Sequence, residues 1–153
     1  MNRKKLVPLI VRYGSFTFLG LLVYFLLMKL LGLANIVELR FLNFFILLVG
    51  IRFFIMRLKR EGNGSLDYLH ALGYGFVVAA FTSLLFSAFM FIYLAYLDPG
   101  LMRHIQAHQP FGEYLTPGSA AIVLILEGDA SGAIISFALA QYAGKETEMK
   151  QAD

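Results

Sequence analysis

The chain contains no cysteine and no tryptophan, and only 4 of its 153 residues are proline. Without cysteine there can be no disulfide, no thiolate nucleophile, no haem attached through sulfur and no Cys-based metal site. Charge is scarce as well: Asp, Glu, Lys and Arg make up 15% of the chain, where a soluble domain carries about a quarter. Apolar residues fill the gap, at 59% of the sequence with a mean hydropathy of +0.70. That excludes disorder. A soluble chain of this length buries only about two-thirds of its surface, so such a composition would leave large apolar patches facing water. Lipid is its natural solvent. A membrane helix takes about 20 apolar residues, which leaves room for three to five spans and no separate soluble domain. Residues 1–153 therefore read as a single integral membrane domain.

The formal charge is +3, which in a soluble protein would suggest nucleic acid. Here the bases flank apolar runs instead of forming one face, so they read as topology signals, and no nucleic-acid partner is expected. The first run, about 13–33, follows Arg3, Lys4 and Lys5. It is too long for a cleaved signal peptide and contains Lys29, although Gly32-Leu33-Ala34 loosely resembles a small-x-small cleavage site. The second run, about 39–58, ends among Arg52, Arg57, Lys59 and Arg60. A turn follows at 61–65, where Asn63 or Ser65 could cap the third run, about 68–97. Asp98-Pro99-Gly100 stops that run. Residues 101–117 read as a short amphipathic segment at the surface, and the fourth run spans about 119–142, ahead of a polar, frayed tail.

The fold expected is an all-α membrane protein, a four-transmembrane-helix bundle with a short amphipathic segment between the third and fourth helices. Ten of the 13 Lys and Arg residues fall on the side of the two termini, so both ends are expected in the cytoplasm. Tyr13, Tyr68 and Tyr142 fall near that interface and Tyr93, Tyr96 and Tyr114 near the opposite one, where an amphipathic ring is favoured.

Small residues recur every four positions in the third run, at Ala71, Gly75, Ala79, Ser83 and Ser87, and in the fourth, at Gly128, Gly132, Ser136, Ala140 and Gly144. Such stripes let backbones approach closely and gain dispersion contacts. The third and fourth helices are expected to pack on them, although a stripe could equally face a second copy of the chain.

Four charges stand inside the runs: Glu127, Asp129, Lys29 and Arg52. An ionised carboxylate near mid-membrane costs about 2.5 to 3.5 kcal/mol on insertion scales, so such residues usually face protein or water. Two positions apart, Glu127 and Asp129 point about 200° away from each other on a regular helix. Glu127–Lys29 and Asp129–Arg52 pairs would neutralise all four and fix the helix arrangement. Two other readings stay open: a proton or ion relay through the carboxylates, and a helix broken at Glu127-Gly128-Asp129 with Asp129 capping its second half. His104 and His108 have metal-ligand spacing, but two ligands are not a site, and no metal is expected. Asp67 and His70 read as an interfacial cap. No nucleophile elbow, phosphate loop, HExxH or dinucleotide fingerprint is present, so no catalytic residue, enzymatic activity or cofactor is expected.

Tyr13-Gly14 opening a long apolar helix, the basic end of the second run, Arg60-Glu61-Gly62 before Ser65, Asp98-Pro99 and the final Ile134-Ile135-Ser136 helix together resemble the small four-helix membrane proteins of Bacteroidota grouped as a domain of unknown function. The resemblance covers nearly the whole chain. It implies the four-helix topology and a bacterial inner (plasma) membrane location, and it brings no catalytic residue. The function expected is that of a non-enzymatic accessory, scaffold or assembly subunit, in contact with the lipid bilayer and acting on a membrane-complex partner or as a homo-oligomer. The competing expectation is a small oligomeric proton- or ion-coupled carrier or channel that uses the intramembrane carboxylates.

Overall fold

A computed structural model of the chain describes residues 3–33, 41–61, 66–108 and 111–152, with side chains within 6–143 of those ranges. The described residues are helical, without a strand. Helix α1 is Arg3–Leu30, α2 Phe41–Glu61, α3 Tyr68–Ile92, α4 Pro99–His108 and α5 Pro117–Ala152. A π-helical turn, Tyr93–Leu97, continues α3, and a 3₁₀ turn, Gly112–Tyr114, precedes α5. Within these, Leu6–Leu30, Phe41–Glu61, Tyr68–Leu97 and Pro117–Ala143 are long and apolar enough to cross a membrane. The protein is therefore an all-α, multi-pass membrane protein.

Several boundaries differ from the sequence expectation, each for a local reason. Helix α1 starts ten residues before Tyr13, because Leu6, Leu9 and Ile10 continue its apolar face onto the core. It stops at Leu30 because Gly32 adopts a φ of +71°, open to glycine without steric penalty. The Gly32 N–H then donates to the Lys29 carbonyl and the Leu33 N–H to that of Met28, the double closure of a Schellman motif. Helix α2 continues past Leu58 to Glu61, with Arg57 Nε 3.1 Å from Glu61 Oε1. Its expected start at Leu39, and the capping residues Asn63 and Ser65, lie outside the described residues; the N-cap position of α3 is Asp67, whose side chain makes no capping bond.

The third span runs from Tyr68 to Leu97, but its last turn is wound as a π-helix, closed by the Asp98 N–H donating to the Tyr93 carbonyl. Asp98 then begins α4: its Oδ1 accepts from the Leu101 N–H at 3.0 Å, an N-cap with Pro99 at the first helical position, where a missing N–H is harmless. Past α4 the chain turns through Phe111, at φ 59°, and Gly112, whose backbone lies so close to the Gln106 carbonyl that a Cβ would stand 1.9 Å from that oxygen. Helix α5 opens with Pro117 after a reciprocal cap: the Ser119 N–H donates to Thr116 Oγ1 at 3.1 Å and the Thr116 N–H to Ser119 Oγ at 2.8 Å, a capping box with Ser in place of Glu.

The most extensive helix contact joins α3 to α5, and α1 packs on α2 and α3. Near the termini, Ile51, Phe54, Leu58, Val78, Ala79 and Ile135 form a core at most 1% exposed. Near α4, a second cluster joins Leu21, Phe86, Met90 and Leu94 to Met102 of α4. Polar bonds tie α1 into this frame: Thr82 Oγ1 reaches the Gly14 carbonyl at 3.3 Å. At Gly50, a Cβ would fall 2.0 Å from Thr17 Oγ1, so glycine lets α2 close onto α1.

Candidate functional site

The small-residue stripes meet face to face. A Cβ on Gly132 would stand 2.2 Å from Ala79 Cβ, one on Gly128 2.1 Å from Ser83 Oγ, and one on Gly75 2.8 Å from Ser136 Oγ. Each step of four toward α4 on α3 is matched by a step of four toward the same end on α5. One further step on, Ser87 Oγ donates to the Ala121 carbonyl at 2.7 Å. Ala71 and Ala140 are fully buried at the other end of the seam; the surroundings of Gly144 lie outside the described side chains. Ser136 Oγ is buried without a hydrogen-bond partner, seated in the space that Gly75 leaves. The stripes are thus consumed within one chain and are not a surface for a second copy.

The ion pairs differ from those the sequence suggested. Lys29 pairs with Asp98, Nζ to Oδ2 at 2.5 Å, and also donates to the Tyr93 hydroxyl. Tyr93 stands in the last turn of the third span but is only 6% exposed, placed against Phe25 and Lys29 by the π-helical turn. The Lys29 ammonium, with the Leu101 N–H, holds the Asp98 carboxyl below its ordinary value of 3.8, against the opposing effect of burial. A Glu127–Lys29 pair does not form. The reason is depth: Gly128 packs on Ser83, and Asp98 lies fifteen residues beyond Ser83, about 20 Å at 1.5 Å per residue. With α1 ending at Leu30 and not at Leu33, Lys29 lies at the helix end and not near mid-membrane.

An Asp129–Arg52 pair is absent too. Ile51 is level with Gly75 and Ser136, so Arg52 lies about 10 Å further along the axis than Asp129, exposed on α2. Helix α5 is continuous through Glu127, Gly128 and Asp129, so Asp129 caps no half-helix. Its Oδ1 is buried without a hydrogen-bond partner.

Glu127 lines a cavity of about 370 Å³ between α1, α2, α3 and α5. The apolar wall is Leu21, Phe44, Leu47, Phe86 and Leu124, and Asn43, Ser83 and Ser131 bring polar groups beside Glu127. Glu127 and Phe41 are exposed, so the cavity opens on the outside of the helices between the start of α2 and the middle of α5. Toward the termini it is closed. Along α2, α3 and α5 alike, the next residues inward are the packed Ile51, Phe54, Val78, Ala79 and Ile135.

Sequence reasoning missed Asn43, because one uncharged amide in an apolar run carries little signal beside four charges. The amide is nonetheless an unusual group there, with its Oδ1 buried and unpaired. The histidines show no metal arrangement. His104 and His108 stack with centroids 4.1 Å apart, His108 Nδ1 lies against the His104 carbonyl, and among the described residues no three His, Cys, Asp or Glu converge. Asp67 and His70 make an exposed contact of 3.2 Å.

Residues 12–110 match the family described as Protein of unknown function (DUF4199). The chain belongs to that family. The match takes in α2 and α3, most of α1 and the whole of α4, and ends before α5, so within it lie Asn43, Ser83 and the Lys29–Asp98 pair but not Glu127 or Asp129. It is narrower than the nearly complete resemblance read from the sequence. Among curated proteins and solved structures, nothing matches.

Proposed function

We propose that this DUF4199 protein is a non-enzymatic accessory subunit of a bacterial inner membrane, with both termini in the cytoplasm, and that it works by binding a molecule from the membrane phase. The observation that carries this reading is the one-sided cavity. It has the size and the mostly apolar wall, with a few polar groups, that mark small-molecule sites, and its mouth faces the outside of apolar helices. The stripes that suggested a scaffold through helix contacts are occupied by the protein's own α3 and α5, which leaves the cavity as its most distinctive open surface. A carrier or channel would use the same Glu127, but it needs a way past the fully buried Ile51, Phe54 and Val78.

Leu124→Trp tests the proposal by filling the cavity. Protein purified in mild detergent is extracted, and the small molecules it carries are identified by mass spectrometry. The wild type is expected to retain a compound that Leu124→Trp loses at least tenfold, while both remain folded and equally monodisperse. An identical complement on the two proteins would contradict a binding role for the cavity.

A further inference from the structure

The Asn43 carboxamide lines the cavity and is left idle by the fold. Its Oδ1 is buried and unpaired, and among the described residues nothing bonds to its amide nitrogen, whereas Glu127 in the same wall already engages a partner within the chain. A buried polar atom without a partner costs stability, and a leucine of similar size would fill the position without that cost. We propose that the amide serves a ligand: the cavity takes an uncharged amphiphile with a hydroxyl head, hydrogen-bonded to Asn43, its chain against Leu21, Phe44, Leu47 and Phe86. This deepens the binding reading above and rests on it.

Two features set the class. The first is hydrogen-bond matching. A carboxamide holds a donor and an acceptor side by side, and a half-turn about its terminal torsion exchanges them. A hydroxyl answers either one, while a carboxylate only accepts and an ammonium only donates. The second is depth. Ile51 is level with Gly75 and Ser136; eight residues toward α4 along each helix stand Asn43, Ser83 and Gly128, and Gly128 is near the middle of the Pro117–Ala143 span. A lipid whose head reaches that depth has to leave the membrane surface, which costs a neutral hydroxyl far less than an ion. Ser83 at the same level and Ser131 within a turn of it also line the cavity, and their hydroxyls can turn to donate or accept. The apolar remainder of the wall suits a hydrocarbon chain.

The test uses the full chain in zwitterionic nanodiscs and four probes that share one decyl chain length: decanol, decyl methyl ether, decylamine and decanoate. Thermal midpoints are followed by tyrosine fluorescence as each is titrated. Decanol is expected to raise the wild-type midpoint saturably, with an affinity at least tenfold above that of the ether, which cannot donate, and of both ions. Asn43→Leu is expected to lower the decanol affinity at least tenfold. The same variant without ligand is expected to melt a few degrees above the wild type, because the idle amide is gone; a residue kept for the fold would do the reverse. Leu124→Trp is expected to remove the decanol response. An ether or an ion that binds as tightly as decanol, an unchanged decanol affinity in Asn43→Leu, or a lower ligand-free midpoint in that variant would overturn the assignment. If decanol fails while Leu124→Trp still loses a native compound, the hydroxyl class falls and the binding reading stands. If Leu124→Trp loses nothing, the binding reading itself falls.

Discussion

Gly132→Leu is expected to be among the most damaging substitutions in the protein. Its Cβ alone would stand 2.2 Å from Ala79 Cβ, and Ala79 is fully buried on a helix pinned on its other faces by Val78 and Thr82. Neither backbone can yield without opening the whole α3–α5 seam, so the cost should reach about 3 kcal/mol, the upper end for overpacked cores, or more. In mild detergent the thermal midpoint should fall by well over ten degrees, or the protein should fail to purify as one species. Ala79→Gly in the same chain should recover part of the loss, since it removes the atom that the new side chain meets. A Gly132→Leu protein as stable as the wild type would mean that α3 and α5 do not cross on this stripe.

The second large effect is expected at Asp98→Lys. Asp98 holds two things at once: Oδ1 caps α4 through the Leu101 N–H, and Oδ2 binds Lys29 at the end of α1. Loss of an N-cap costs up to about 2 kcal/mol, and the new lysine would face Lys29. Helix α4 should detach from its cluster around Met102, seen as faster amide exchange across Pro99–His108 with little change in Val78 or Ile135. Asp98→Asn should be milder, because an amide oxygen still caps the helix. The pH dependence has a definite sign. The carboxyl of the folded protein lies below its ordinary 3.8, so the stabilisation is fully present above that value and is lost as pH falls through the lower, folded value. Protection of α4, its exchange rate referred to the intrinsic rate at each pH, should therefore be flat from about pH 5 to 8 and fall only in stronger acid; a loss of protection near pH 6 would contradict the assignment.

The sequence shows the fold better than it shows the site. Span length and hydropathy are properties of single segments, and Tyr68–Leu97 is marked at both ends, by the turn at 61–65 and by Asp98-Pro99. The four-residue spacing of small residues is equally visible. Their pairing is not, because Gly132 against Ala79 depends on how two helices slide past one another. The depths of the charges are hidden by the same gap, because they follow from the helix ends, which Gly32 and Pro117 move by two or three residues. The π-helical turn that carries Tyr93 to Lys29 leaves no recognisable mark, since Tyr93–Leu97 is apolar and unexceptional in composition. The cavity arises where four helices fail to fill space; of its polar residues the sequence marks Glu127 as an intramembrane charge and Ser83 only as a packing residue.

The absence of cysteine makes the most direct test of the account a clean one. Single cysteines at Leu124, Ser131, Val78 and Ile135, in membranes, would be exposed to a small membrane-permeant maleimide, with labelling read by mass shift. The account predicts that Leu124→Cys and Ser131→Cys react readily, while Val78→Cys and Ile135→Cys stay unreacted until the protein is unfolded. Equal reaction at all four positions, or none at Leu124 and Ser131, would contradict a ligand cavity that opens from one side above a packed core.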